Sequence, residues 1–201
     1  MSPRNEETNK QIRDERRDQI LRAALQVFAR KGLTATKISD IAAAAQLSHG
    51  LIYHYFKSKD EIFTVLATQA LDTSANIIIQ ASNLPATPWE RLKTMTEAIV
   101  PAAYQGIGPY YFLIVVQAFT SEAVPPQVKE LAARQSTLYT EHLVPLIREG
   151  QQRGEIAAGD PLQLAVSFTS MIQGIAIEKT LGGEALPLPT AEIILRLFKP
   201  A

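Results

Sequence analysis

Residues 36–62 read TKISDIAAAAQLSHGLIYHYFKSKDEI. Thr36 is placed to cap a helix over residues 37–45, and Ser48 to cap another over 49–55. Ser58-Lys59-Asp60-Glu61 has the Ser-x-x-Glu form of a capping box and opens a longer helix reaching Ser82. Two helices of about eight residues are not stable alone. Packing through Ile38, Ile41, Ala42, Leu47, Ile52, Tyr55 and Phe56 must hold them. Helix, tight turn and helix is helix-turn-helix spacing. Asp40, Ile41, Ala42, Ala45 and Leu47 supply small and apolar contacts at the crossing. The second helix then presents Ser48, His49, Gly50, Tyr53 and His54. A helix placed in this way can enter a DNA major groove N-terminus first. Its dipole and free N–H groups favour phosphate.

Upstream, Ile20, Leu21, Ala24, Leu25, Val27 and Phe28 follow helical spacing in a helix from Thr8 to Arg30, stopped by Gly32. With these residues included, the resemblance becomes specific. Residues 17–62 resemble the DNA-binding head of the tetracycline-repressor (TetR) family through ALQVFARKG, Thr36, DIA, LS-x-G, LIYHYF and KSKDEI. The resemblance implies that Thr36, Lys37, Tyr53 and Lys59 bind phosphates, with Lys57 a further phosphate contact. It places Ser48, His49 and Gly50 at base edges and His54 at a phosphate or a base. Arg13, Arg16 and Arg17 stand upstream on a charged helix face. One departure is Gln46, where the family usually has glycine in the turn. A left-handed backbone there costs about 1 kcal/mol more for glutamine than for glycine.

The chain has 201 residues, with 20 Lys+Arg against 20 Asp+Glu and no cysteine. Apolar residues make up 46%, which suits a packed core and excludes a disordered chain or a wholly basic coat protein. Without cysteine there is no disulfide framework, thiolate zinc site or cysteine nucleophile. The zero charge is an average of two unequal parts. Residues 1–60 hold 11 basic against 7 acidic residues, or +4, and residues 61–201 hold 9 against 13, or −4. A basic head beside an acidic body points to nucleic acid at the head. The acidic body is compatible with a cationic ligand.

Beyond Ser82, Thr87-Pro88 with Glu90 starts a helix ending near Tyr104. Further helices are expected over 109–119, over 126–149 with a kink at Pro145, from Asp160-Pro161 to Gly182-Gly183, and from Thr190 onward. The expectation is an all-α chain of about nine helices. It comprises a three-helix helix-turn-helix head over 1–58 and a helical bundle over 59–201 for ligand binding and dimerisation. An uncharged run over 98–121 is interrupted by Pro101, Gly106, Gly108 and Pro109, which argues against a membrane span. The first twenty residues are densely charged and lack the apolar core of a secretory signal. Together these give a cytoplasmic protein.

The body contains no HExxH, GxSxG, P-loop or GxGxxG pattern. No enzyme activity, cofactor or metal is expected. Its middle helices are rich in aromatic and flexible apolar residues. The resemblance implies an inducer pocket between the helices of 88–104, 109–119, 126–149 and 161–181. Met95, Tyr104, Tyr111, Phe112, Phe119, Tyr139, His142, Phe168 and Met171 are its candidate lining, suited to an apolar or aromatic small molecule. A filled core is the alternative reading of the same residues. The last two helices read as a homodimer interface through Leu164, Phe168, Ile172, Ile193, Ile194 and Leu197, in a four-helix bundle about a two-fold axis. A dimer sets its recognition helices about one DNA turn, roughly 34 Å, or a multiple apart and calls for a near-palindromic operator. These features imply a ligand-responsive repressor released from its operator by a small molecule. An activator of the same fold and a helical carrier without DNA binding stand as alternatives.

Overall fold

Helix α1 (Pro3–Ala35) breaks at Gly32 (φ 76°, ψ 165°), where the sequence calls for a stop. Glycine takes this left-handed conformation without a Cβ penalty. Its inward residues Ile20, Leu21, Ala24, Leu25 and Phe28 are buried. Then follow α2 (Ile38–Ala45), α3 (His49–Tyr55), α4 (Lys59–Ser82), α5 (Pro88–Tyr104), α6 (Gly108–Thr120), α7 (Pro126–Ser136), α8 (Val144–Gln152), α9 (Pro161–Gly182) and α10 (Ala191–Arg196). This computed structural model describes residues 3–183 and 186–200, and side chains within them except those of residues 3–7 and Tyr139. There is no strand among the described residues. Helices α7 and α8 are joined by a π-helical turn over Tyr139–Leu143. Counted as one bent rod they bring the total among the described residues to nine. Proline at 145 lacks an N–H and crowds the carbonyl four residues back. The wider turn accommodates both defects one residue before α8 begins.

Local chemistry accounts for most helix starts. The Ser48 hydroxyl accepts from the Leu51 N–H (3.2 Å), and Ser58 accepts from Glu61 (3.1 Å). Thr87 and Glu90 form the complete capping box, with reciprocal bonds of 3.3 and 3.0 Å. Helix α2 departs from expectation. Its N-cap is Lys37, and the Asp40 carboxylate reaches back to accept the Lys37 N–H at 3.0 Å. That bond, together with the Lys31 ammonium 3.1 Å away, holds the Asp40 carboxyl below its ordinary pKa. Thr36 does not cap α2. It is buried, and its hydroxyl donates to the Gly32 carbonyl at 2.7 Å.

Gln46 ends α2 in the left-handed region (φ 55°, ψ 41°), alone in this among the described non-glycine residues. Relief of about 1–2 kcal/mol of steric cost, offset by glycine's greater freedom in the unfolded chain, gives a testable result. Gln46→Gly is expected to stabilise the protein by about 0.5–1 kcal/mol. Thermal melting should show a rise of a few degrees, and an unchanged or lowered midpoint would rule out strain at this turn.

Two hydrophobic clusters share α4. The first joins the buried faces of α1, α2 and α3 to the front half of α4 and to Ile114, Val115, Ala118, Val128 and Ala132 of α6 and α7. The second takes Ile78 and Ala81 from the end of α4 and packs them with α5, α8, α9 and α10. Head and body are therefore in direct apolar contact along α4 and α6. Helix α4 is long and apolar enough to cross a membrane by length and composition. Here it is the shared core helix of both clusters. The uncharged run over 98–121 covers the last part of α5 and all of α6, two helices that meet at 98°. The bend depends on Gly108, because a Cβ there would stand 1.8 Å from the Ala102 carbonyl oxygen.

Candidate nucleic-acid interface and effector cavity

Helix α3 is fixed to the head by its inner side. Ile52 and Phe56 are fully buried, and the Arg17 guanidinium lies 5.2 Å over the Phe56 ring. The other side is open. His49, Gly50, Tyr53 and His54 are exposed, with Tyr53 at 50%. The His49 and Tyr53 rings, one turn apart, meet edge to face at 5.0 Å, which limits the rotamers of both. A Cβ on Gly50 would meet nothing within 4 Å, so no part of the protein blocks a close approach to this turn. Ser48, Lys37 and Lys57 are exposed around the same face.

Two residues that resemblance assigns to phosphate are engaged within the head itself. Thr36 is buried as described. The Lys59 ammonium donates to the carbonyls of Leu33 (2.8 Å), Thr34 (3.1 Å) and Thr36 (2.9 Å). An ammonium has three N–H donors and no acceptor, so all three are used. Its position makes Lys59 a brace between α4 and the end of α1.

Behind the head, α4, α5, α6 and α9 enclose a cavity of about 470 Å³. Ala70 and Val115 of its wall belong to the first hydrophobic cluster. Ile78, Ile99, Phe168 and Ile172 belong to the second. The cavity thus occupies the seam between head core and body core. Of the expected lining residues, Tyr111, Phe112 and Phe168 are present. Burial raises the Tyr111 pKa above its ordinary value of 10.0, Asp18 of α1 adds to this, and Arg22 opposes it. The phenol therefore stays protonated and neutral at physiological pH.

The other expected lining residues lie elsewhere. Met95 is fully buried in the second cluster, and Tyr104 and Met171 pack against that cluster outside the cavity. His142 sits half-buried on the π-helical turn. Phe119 is exposed beside a separate groove between α6 and α7. The Tyr139 side chain lies outside the described residues. Aromatic content points to that set and leaves out α4. Gln69, Thr73, Ser74 and Ile77 of α4 face the cavity, as do Thr169 and Gln173 of α9. The signal available in the sequence was the four-residue spacing of Gln69–Thr73 and Thr169–Gln173, which puts each pair on one helical face. Behind Ser74, the Gln135 amide donates to Leu71 O and to the Ser74 hydroxyl. Its own carbonyl oxygen is buried without a partner.

The expected dimer face also divides. Ile193 and Leu197 are exposed (47% and 60%), but Phe168, Ile172 and Ile194 are buried in the protomer, and Leu164 packs half-buried against the second cluster. On α9 the outward apolar residues are instead Leu162, Val166, Ile177 and Leu181. Helix α9 is apolar on nearly all sides, so its composition did not distinguish the inner stripe from the outer one.

A family model for bacterial regulatory proteins of the tetR family matches residues 20–66, and one for the BetI-type transcriptional repressor C-terminal domain matches 88–198. The chain belongs to the tetR family. It is 28% identical to the HTH-type transcriptional regulator YfiR of Bacillus subtilis, over 87% of this chain and 83% of YfiR. Among solved structures, the ketosteroid transcriptional regulator KstR2 of Mycobacterium tuberculosis superposes with a TM-score of 0.72 at 24% identity, covering 92% of this chain and 95% of that one. AibR in complex with isovaleryl coenzyme A and operator DNA superposes with a TM-score of 0.69 at 19% identity, covering 90% and 94%. The fold of this tetR-family protein is accordingly the all-α one expected from sequence. Its activity is that of a DNA-binding transcriptional regulator.

Proposed function

We propose that this regulator is a repressor that leaves a near-palindromic operator when a small molecule fills the seam cavity. Residues 1–58 serve DNA binding, and residues 59–201 serve effector binding and dimerisation. The protein acts in the cytoplasm by binding rather than by catalysis. The observation that carries the reading is the position of α6. Tyr111, Phe112 and Val115 of α6 wall the cavity. On the same helix the Gln117 side-chain amide donates to the Phe28 carbonyl of α1 (2.9 Å). Arg30 of α1 donates to the Tyr110 hydroxyl (3.3 Å) and lies over its ring. A ligand that prefers one placement of α6 thereby prefers one placement of the head. A typical coupling of about 1–3 kcal/mol is enough to change operator affinity by 5- to 150-fold.

At the DNA, Ser48, His49 and Gly50 face base edges, and Lys37, Tyr53 and Lys57 hold phosphates, with His54 at a phosphate or a base. Phosphate contacts set register and base contacts specify sequence. In the dimer, Leu162, Val166, Ile177 and Leu181 meet their copies together with Ile193 and Leu197. Selection of duplexes from a random pool by the wild-type dimer is expected to return a two-fold symmetric site. His49→Ala should return a site altered at one position in each half, with a loss of about 1–3 kcal/mol on the original operator. Recovery of an unchanged site by the variant would remove His49 from base reading, and recovery of no site by the wild type would reject the DNA-binding role.

A further inference from the structure

Among the described residues, every side chain that faces the seam cavity is uncharged. The apolar part of the wall comes from Ile77, Ile78, Ile99, Val115, Phe168 and Ile172, and the polar part from amides and hydroxyls alone. Gln69 and Thr73 of α4 are exposed, and Thr169 and Gln173 of α9 are partly exposed. These four stand at the edge of the cavity, where solvent reaches it. Phe168 and Ile172 are buried at its interior. The site is therefore an apolar chamber with a rim of neutral donors and acceptors.

An ion carried into the interior of such a chamber, against Phe168 and Ile172, loses its hydration and meets no charged side chain on the described wall, and amide or hydroxyl dipoles replace only part of that loss. A neutral body with one or two hydrogen-bonding groups loses little and removes its apolar surface from water. The −4 balance of residues 61–201 does not alter this, because none of those carboxylates lines the wall.

Building on the reading of the cavity as the effector site, we propose that the effector is an uncharged, largely apolar molecule. Its body lies against Phe168 and Ile172, and its polar end bonds to the rim of Gln69, Thr73, Thr169 and Gln173. The interior excludes carboxylate, quaternary ammonium and phosphate groups. A fatty acid would enter only as a neutral derivative, such as an ester or an alcohol.

The test uses the full-length dimer and two fluorescent probes of one skeleton, neutral N-phenyl-1-naphthylamine and its anionic sulfonate, 8-anilino-1-naphthalenesulfonate. The neutral probe is expected to bind one per protomer with blue-shifted emission, at least tenfold more tightly than the sulfonate. Thr73→Trp, a change at an exposed position that narrows the mouth, should abolish the neutral signal while leaving the melting temperature near that of the wild type. 1-Decanol should displace the probe, and decanoate and decyltrimethylammonium should do so at least tenfold less well. Equal or tighter binding of any charged member, indifference of the neutral probe to Thr73→Trp, or no binding of the neutral probe would each overturn the proposal. A separate gel shift without probes keeps the two readings apart. Loss of operator binding there strikes the regulator function, whereas a charged probe that wins strikes only the chemistry of the chamber.

Discussion

Operator affinity is expected to fall by about 10³- to 10⁵-fold between 50 and 200 mM salt, the response of a dimer that makes roughly 6–10 phosphate contacts. A protein of zero net charge would show little salt dependence if its charges were spread evenly. They are not. The first 60 residues carry +4 and the remainder −4, and a dimer presents two basic heads to one duplex. Lys37 and Lys57 stand exposed beside α3, Tyr53 offers a half-exposed hydroxyl, and Arg13 and Arg16 are exposed on α1. These groups supply the three to five contacts per head that this salt response requires. Binding releases counterions condensed on the phosphates, so the logarithm of affinity falls linearly with the logarithm of salt. Anisotropy titrations of a labelled operator across this range measure the slope. A flat response would mean that the basic head does not lie on the phosphates, and the DNA-binding reading would fall with it.

The head was legible because its signals are local. Ser48 and Ser58 each cap a helix within four residues of their own position. Gly32 breaks α1 at the position its sequence marks, and Gln46 adopts the left-handed turn its position demands. What stayed hidden depends on partners far away in sequence. Thr36 was expected to cap α2, but it is buried with its hydroxyl committed to the Gly32 carbonyl, and Lys37 and Asp40 start the helix instead. The cavity was expected among aromatic residues of the middle helices. Its wall is in fact set by where two cores fail to meet, and α4, absent from that expectation, supplies six lining residues. Helix α9 carries apolar residues on its inner and outer stripes alike. Periodicity identified it as a buried helix without revealing which stripe faces the protomer and which its partner. Phe168 and Ile172 went inward, and Val166 and Ile177 outward.

Lys59→Met is expected to destabilise the protein by about 2–4 kcal/mol, from the loss of hydrogen bonds to a charged donor worth roughly 1.5–3 kcal/mol each, moderated by solvent at this half-buried site. For a chain of this length that is a fall of roughly 5–15 °C in melting temperature. The carbonyls of Leu33 and Thr34 close the last turn of α1 beyond the Gly32 break, and Thr36 leads into α2. Terminal helix carbonyls have no partner within their own helix, and a cation there also meets the negative end of the helix dipole. Methionine keeps the apolar stem of lysine and removes only the head group, so the loss reports on the ammonium. Lys59→Arg should restore little, because a flat guanidinium does not converge on three carbonyls as a compact ammonium does. The same variant separates a brace from a phosphate contact. A lysine bound to phosphate would, when removed, lower the salt slope by about 0.9 per contact and leave the melting temperature unchanged. A brace leaves the slope of the folded dimer intact and lowers the melting temperature, and it weakens every operator sequence alike because α3 loses its fixed angle to α1. Salt titration and thermal melting of one variant therefore decide between the two roles, and the three carbonyls around Lys59 predict the second.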